Sequence, residues 1–434
     1  MSRIKHILSA VIFCAVILGI CSVLNYLLID DSASYTRLMM HELYNSKDNI
    51  DVLFVGASHC YESFDTEITD RKFRQNTFNA GSSSQDLDSS YELIREASER
   101  NKLKQVYLEI PFIMLTQEGD YADRTQMTGT YLISDYEKPS LHKALYLLKA
   151  SSEGEYVNSF FPARRNATSL FVPSVVGGTI RRKNSDIYKN YRYEYANDNS
   201  WGKYMGKGFV SVNPAIQNDS FYYQSRKPVN YDISEDRINS IRSIIRYCDS
   251  RKVKLTVVTA PMPSYVILQS GIDYDRYLDE LRNILKGTDV KLVDFNLCRT
   301  TYFPDESEYF SDDSHLNRYG ARRFSNLFSD YFTGRLTDDI FYSSYKEKSR
   351  SLPVKLYGLR FNDTGNVRNI DIISNHPEQM EYRVVMLPKD SARYIVQDYS
   401  SNTSFDIDIN EHGICKIYSR IKGKKDIKET DFEY

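Results

Sequence analysis

The order of hydrophobic patterns along this 434-residue chain predicts an α/β fold in three parts. A membrane-length apolar helix comes first, a mainly parallel sheet flanked by helices and broken by a long insertion follows, and an all-β domain closes the chain. Three observations carry this. Residues 7–29 are almost uninterruptedly apolar; from residue 51 short β-branched and aromatic runs alternate with stretches of helical period; and from about residue 354 strand-like runs follow one another with no helical stretch between them.

The length favours two domains, or one with a large insertion. A formal net charge of -2 with 26% charged residues provides no global field for nucleic acid or another polyanion, so no nucleic-acid partner is expected. Any partner is to be recognised at local sites. The 35 tyrosines, against one tryptophan, are amphipathic rings that suit extended polar surfaces such as glycans as well as ordinary interfaces.

At the N-terminus Arg3, Lys5 and His6 precede the apolar run, which ends against Asp30 and Asp31. A run of this length spans a bilayer, whereas the hydrophobic segment of a cleaved leader is typically about 7–15 residues long. Residues 1–30 are therefore expected to be a cytoplasmic flank and retained transmembrane signal anchor, with Ser32-Ala33-Ser34 offering the alternative of cleavage. The basic flank stays cytoplasmic, which makes the chain a single-pass protein of the cell membrane with everything beyond Asp30 extracytoplasmic. Cys60, Cys248, Cys298 and Cys415 show neither C-x-x-C pairing nor metal-ligand spacing and are read as core residues, their pairing left open.

In the second part, residues 31–348, the run VLFV ends at Gly56 and a second run, QVYLEI, ends at Pro111. Between them Leu87, Tyr91, Ile94 and Ala97 recur at helical spacing, so this is a β-turn-α-β unit. The alternation resumes with Ile238, Ile241, Ile245 and Cys248, the strand at 254–261, the stripe Tyr274, Leu278, Leu281 and Leu285, the strand KLVDF, and a last helix from about Asn317. The interruption at about 115–231 is too long for a loop in a compact domain. It carries Tyr188, Tyr191, Tyr193 and Trp201 beside Arg164, Arg165, Arg181 and Arg182, and is read as an insertion near the site, either contacting glycan or forming a solvated excursion. Residues 349–434, with FDIDI alternating strictly, read as a β-sandwich-like accessory domain.

Two segments carry chemistry. Gly56-Ala57-Ser58-His59 follows the first strand directly, so a sharp turn presents Ser58 at the carboxyl edge of the sheet, where open α/β sheets place their sites. A dinucleotide fingerprint would need glycines where Ser58 and Tyr61 stand. His59 supports the turn, because adjacent side chains point apart. A serine hydroxyl needs an imidazole to take its proton and a further group to orient that imidazole. Asp312 and His315, three apart in the loop before the last helix, have the spacing for a carboxylate to reach the ring Nδ1; the competing reading is that Asp312, Asp313 and Asn317 only cap that helix.

Together Gly56-Ala57-Ser58, Asn79-Ala80-Gly81 and Asp312-x-x-His315 resemble the three blocks of the SGNH/GDSL hydrolase superfamily. The resemblance implies a flavodoxin-like three-layer catalytic domain, a Ser58, Asp312, His315 triad, and an oxyanion hole formed by the Ser58 and Gly81 N–H groups, with no cofactor and no metal. Two departures stand out: G-A-S replaces the family's G-D-S, and Leu108-Glu109-Ile110-Pro111 stands where a G-x-N-D block belongs, which leaves the asparagine donor unassigned, with Asn79 as a substitute or a hole of only two donors as the alternatives. A single span before such a domain is similar to bacterial envelope acyltransferases, including the D-alanyl transfer protein of teichoic acid synthesis. That similarity implies an acylated glycan or envelope polymer as substrate and a membrane acyl-export protein as partner. Esterase and acyltransferase share the acyl-serine intermediate and stay open, as does a non-catalytic glycan-binding or assembly protein on a degenerate scaffold.

Overall fold

The computed structural model describes residues 2–29, 31, 34–116, 120–196, 201–214 and 232–434; Asp30 and the Ser32-Ala33 pair of the cleavage alternative lie outside them. The chain forms two compact units, one of Met1–Ile110, Glu118–Asn213 and Glu235–Val257, the other of Pro111–Gln117, Pro214–Ser234 and Val258–Tyr434.

The first unit opens with the helix Ser2–Leu28, whose apolar side chains are exposed from Ile4 to Ile20 and become half-buried to buried by Leu28. From Ile4 to Leu28 it is long and apolar enough to cross a membrane. A second helix, Tyr35–Asn45, is capped by Ser34, whose hydroxyl accepts the Arg37 N–H, and buries Leu38, Met39, Met40 and Leu43. Strand β1 (Val52–Val55) is buried on both faces, as its unbroken apolar run requires of a central parallel strand. It pairs in parallel with β2 (Thr77–Asn79) and β3 (Gln105–Glu109), Leu53 lying beside Phe78 on one side and Val106 on the other. The helix Leu87–Arg100, capped by Asp86, returns the chain from β2 to β3 and buries Leu93, Ile94 and Ala97.

The insertion is built largely of short helices ending in a hairpin, β4 (Gly202–Gly206) and β5 (Phe209–Val212). Lys207 and Gly208 form its two-residue turn with φ of 48° and 78°, the left-handed pair that matches strand twist. The helix Glu235–Arg251 then leads into β6 (Lys254–Thr259).

The second unit takes up the chain within β6, at Val258. The helices Ser264–Ser270 and Tyr274–Leu285, strand β7 (Lys291–Asp294) and the helix Arg318–Phe332 follow, and the sheet runs β2-β1-β3-β6-β7. Ser349 lies in the helix Tyr345–Ser351, after which seven antiparallel strands begin: β8 (Leu356–Thr364), β9 (Val367–Ser374), β10 (Met380–Pro388), β11 (Tyr394–Ser400), β12 (Ser404–Asp408), β13 (Gly413–Ile421) and β14 (Lys428–Glu433). They form a three-stranded sheet, β12-β9-β8, and a four-stranded sheet, β11-β10-β13-β14. Alternate residues of both, among them Leu359, Ile370, Tyr382, Val384 and Ile417, share one core. Gln269 donates to the Tyr357 carbonyl and the Arg360 guanidinium to the Gln269 carbonyl, which ties β8 to the helix Ser264–Ser270.

Candidate active site

Ser58 sits at the first position of the helix Ser58–Ser63, directly after β1, Gly56 and Ala57, and is half-buried. This is the strand-turn-helix the sequence predicts. Gly56 makes it possible: at φ 155°, any Cβ there would lie 2.8 Å from the Glu109 carbonyl oxygen and 3.0 Å from Cys60 Cβ. His59 is buried beside it. At the end of β2 the chain is laced to this turn by the backbone, Ala80 N–H donating to Phe54 O (2.7 Å) and Ser82 N–H to Gly56 O (3.3 Å). Gly81 lies against the serine helix so closely that a Cβ would come within 2.9 Å of Tyr61 N. Ser58 and the Asn79–Gly81 block are thus at one edge of the parallel strands.

Asn79 is engaged otherwise than as an oxyanion donor. It is fully buried, and its amide donates to the carbonyls of Cys60 (2.9 Å) and Phe64 (3.3 Å), while its Oδ1 accepts the Gly81 N–H at 3.0 Å and the Cys60 thiol at 3.3 Å. The physical reason is satisfaction of a buried amide: Asn79 finds its partners in the turn itself, and so holds the serine helix to the glycine block. Burial, with the nearby Glu109, pushes the Cys60 thiol well up, so it stays a neutral donor here.

In the second unit, Asp312 and His315 form a couple. The His315 Nδ1 lies 2.9 and 2.8 Å from the two Asp312 carboxylate oxygens, and Asp312 Oδ1 also accepts the N–H groups of Ser314 (2.8 Å) and His315 (2.9 Å). Burial opposes ionisation of Asp312, but the His315 hydrogen bond and charge, with the two N–H groups, outweigh it and hold the carboxyl down to about 2. The loop is clamped at its base, where Ser311 N–H donates to His315 O (2.8 Å) and Phe310 bridges Leu316. Asn317, and not Asp312, caps the final helix: its Oδ1 accepts the N–H groups of Tyr319 (2.9 Å) and Gly320 (3.1 Å). That division of labour leaves Asp312 to the imidazole.

The insertion supplies a part that sequence reading passed over. The hairpin turn meets the glycine block, Asn79 N–H donating to Lys207 O at 2.9 Å, while Glu42 accepts from the Lys207 N–H (2.6 Å), Tyr204 (2.7 Å) and Tyr193. Beside it lies a cavity of about 320 Å³ whose walls include Tyr35, Tyr61, Gly81, Ser82, Leu132 and Val210. The alternation on both sides of Lys207-Gly208 is the signal that would have found the hairpin. Two of the insertion's tyrosines pack it against the helix Tyr35–Asn45: Tyr188 is buried with the Arg37 guanidinium 3.6 Å over its ring, and Tyr191 stacks on His41 at 3.5 Å.

Among the described residues one acidic group has the geometry to hold a cation, Glu92, Glu96 and Glu137. The protein's own Arg95 already sits there, with Nε 3.1 and 3.0 Å from the Glu92 oxygens and terminal nitrogens 2.6 Å from Glu96 and 2.7 Å from Glu99. Cys60, Cys248, Cys298 and Cys415 are buried free thiols, as core residues should be.

No family model matches the chain, and no curated protein does. Among solved structures it is similar to a chain from Streptococcus pneumonia whose description names a platelet activating factor (TM-score 0.33, 11% identity, covering 70% of this chain and 94% of that one). It is similar also to a GDSL-like lipase from Bacteroides thetaiotaomicron VPI-5482 (TM-score 0.31, 10% identity, 70% and 99% covered). At these values the functional reading rests on the site's own residues.

Proposed function

We propose that the chain is a membrane-anchored serine esterase or O-acyltransferase acting on an acylated glycan or other envelope polymer outside the cytoplasm, with Ser58 as nucleophile, His315 as base and Asp312 as its orienting partner. The observation that carries the reading is the Asp312–His315 couple, which fixes Nδ1 as the protonated nitrogen and directs Nε2 away from the carboxylate. Ser58, at the head of a strand-turn-helix, supplies the second half.

In this reading Ser58 Oγ attacks the ester carbonyl as His315 Nε2 takes its proton. The tetrahedral oxyanion is received by the Ser58 and Gly81 N–H groups, the latter shared with Asn79 Oδ1. Collapse breaks the ester C–O bond, and His315 returns the proton to the departing alkoxide. Water or a sugar hydroxyl then attacks the acyl-serine with the same base. The cavity between Tyr61, Ser82 and the hairpin is the proposed acyl or glycosyl subsite, and a membrane acyl-export protein is the proposed donor partner. This mechanism asks nothing of a metal.

The test is intact-mass labelling of the full-length protein in detergent with a serine-directed fluorophosphonate, beside Ser58→Ala and His315→Ala. A single adduct on the wild type, absent from Ser58→Ala and strongly slowed in His315→Ala, is expected. A folded wild type that takes no adduct and releases no acid from small acyl esters would instead identify a non-catalytic glycan-binding or assembly protein.

A further inference from the structure

Between Tyr156 and Asn190 six cations stand against a single acid, Asp186, and with them comes a series of large apolar side chains that a water-soluble fold would be expected to bury. The structure leaves them outside. Phe160, Phe161, Leu170, Phe171, Val172 and Val175 are exposed, Phe171 at 86%. Single apolar residues scattered over a surface need no explanation, but these follow one another along four consecutive short helices, Tyr156–Phe160, Pro162–Arg165, Ala167–Phe171 and Pro173–Asn184.

The same helices are fastened to the end of the membrane-length helix. Ala163 N–H donates to Asn25 Oδ1 (3.0 Å), Asn166 donates to the Leu28 carbonyl (2.8 Å), and the buried Lys183 ammonium donates to the carbonyls of Tyr26 and Ile29 (3.1 Å to the latter). The last carbonyls of a helix have no partner within it. Here the insertion provides them. Its apolar side chains are therefore held beside residues 25–29, the level at which a spanning helix leaves the hydrocarbon, while Arg164 and Arg181 are exposed in the same segment and Arg165, Arg182 and Lys183 are paired with Asp135 and Asp31.

We infer that the segment Tyr156–Asn184 lies on the bilayer as an interfacial element, its aromatic and aliphatic side chains in the boundary between headgroups and acyl chains and its exposed cations among anionic headgroups. The occupant of the apolar face is lipid, because that face is continuous with the membrane-length helix and its charge complements an anionic surface. The inference is independent of the catalytic reading; it requires only that Ile4–Leu28 cross a membrane. It also gives the helix a structural reason to be retained, since cleavage after it would strip the insertion of these partners.

The test uses the full chain, with Cys14→Ser and Cys21→Ser, reconstituted in vesicles of phosphatidylcholine and phosphatidylglycerol. A nitroxide is placed at Phe171→Cys, at Ile180→Cys, and, for reference, at the exposed Ser391→Cys of the β strands' loop. Power saturation compares collisions with oxygen, which concentrates in lipid, and with a water-soluble nickel chelate. The expected result is an oxygen-to-nickel ratio several-fold higher at 171 and 180 than at 391. A ratio at both positions equal to that at 391 would place the helices in water and overturn the inference. Shielding of both from oxygen and nickel alike would also overturn it, in favour of a protein partner or a second copy.

Discussion

Replacing Gly208 with alanine tests whether the insertion hairpin is a working part of the serine corner. Gly208 has a φ of 78°, and a Cβ built on it would stand 1.6 Å from the Asn79 carbonyl oxygen, where real Cβ atoms essentially never come within 3.0 Å. Hairpin and strand end must separate by about 1.4 Å or more to admit it. That movement sacrifices the Asn79 N–H bond to Lys207 O and strains the Gly208 N–H bond to Tyr204 (2.9 Å), each worth about 1 kcal/mol net. Left-handed backbone costs an alanine roughly 1 kcal/mol more. A total of about 2–4 kcal/mol is expected, a large share of a typical stability of about 5–15 kcal/mol. Gly423→Ala is the control, because Gly423 has a φ of 75° with nothing within 4 Å of a Cβ and so carries the backbone term alone. Urea unfolding of the full-length protein measures both. If Gly208→Ala proves no more destabilising than Gly423→Ala, the hairpin does not bear on Asn79 as described.

Asp312→Asn should leave the fold intact while acyl turnover falls about 10²–10⁴-fold, since the imidazole loses its orienting carboxylate and the tautomer it imposes; an unchanged kcat with a folded variant would remove Asp312 from the mechanism. Because the folded carboxyl titrates near 2, below its ordinary value of 3.8, Asp312 adds stability above pH 4 that is lost as the pH falls toward 2, so wild type and Asp312→Asn should converge in urea midpoint over that window. Glu137 is the opposite case: burial, with Glu92 beside it, raises its carboxyl well above the usual range, so the native state holds a proton that the unfolded chain releases. Wild-type stability should therefore decline as the pH rises above the ordinary carboxylate value, and the advantage of Glu137→Gln should grow from pH 5 to pH 9; a pH-independent difference would show that Glu137 is ionised in the fold.

Much of this was legible in the sequence because it depends on local order. Strand runs and helical stripes are periodic, and Gly56, Ser58, Asp312 and His315 each fall at a junction between a strand and a helix or just before a helix cap, where few residues decide the geometry. Asn317 as the cap of the last helix was readable for the same reason. What was not legible depends on segments far apart in the chain. Nothing near Asn79 announces that its own N–H will go to the Lys207 carbonyl, because that partner arrives more than a hundred residues later. The insertion misled for a different reason. Its tyrosines suggest a polar surface, yet Tyr188 lies buried under Arg37, while Phe171 and Val172, which composition would assign to a core, face outward.

Lys183, at the end of the N-terminal helix, also decides how that helix is joined to the rest of the first unit. A chain joined to its anchor by a loose linker would sweep a hemisphere and visit substrate at many heights. With Lys183 seated on the Tyr26 and Ile29 carbonyls, and Asn166 on that of Leu28, the helix end and the insertion turn as one piece. Ser58 belongs to the same unit. Under the proposed anchoring, Ser58 would therefore move with the N-terminal helix as part of one compact unit, where a loose linker would let it swing.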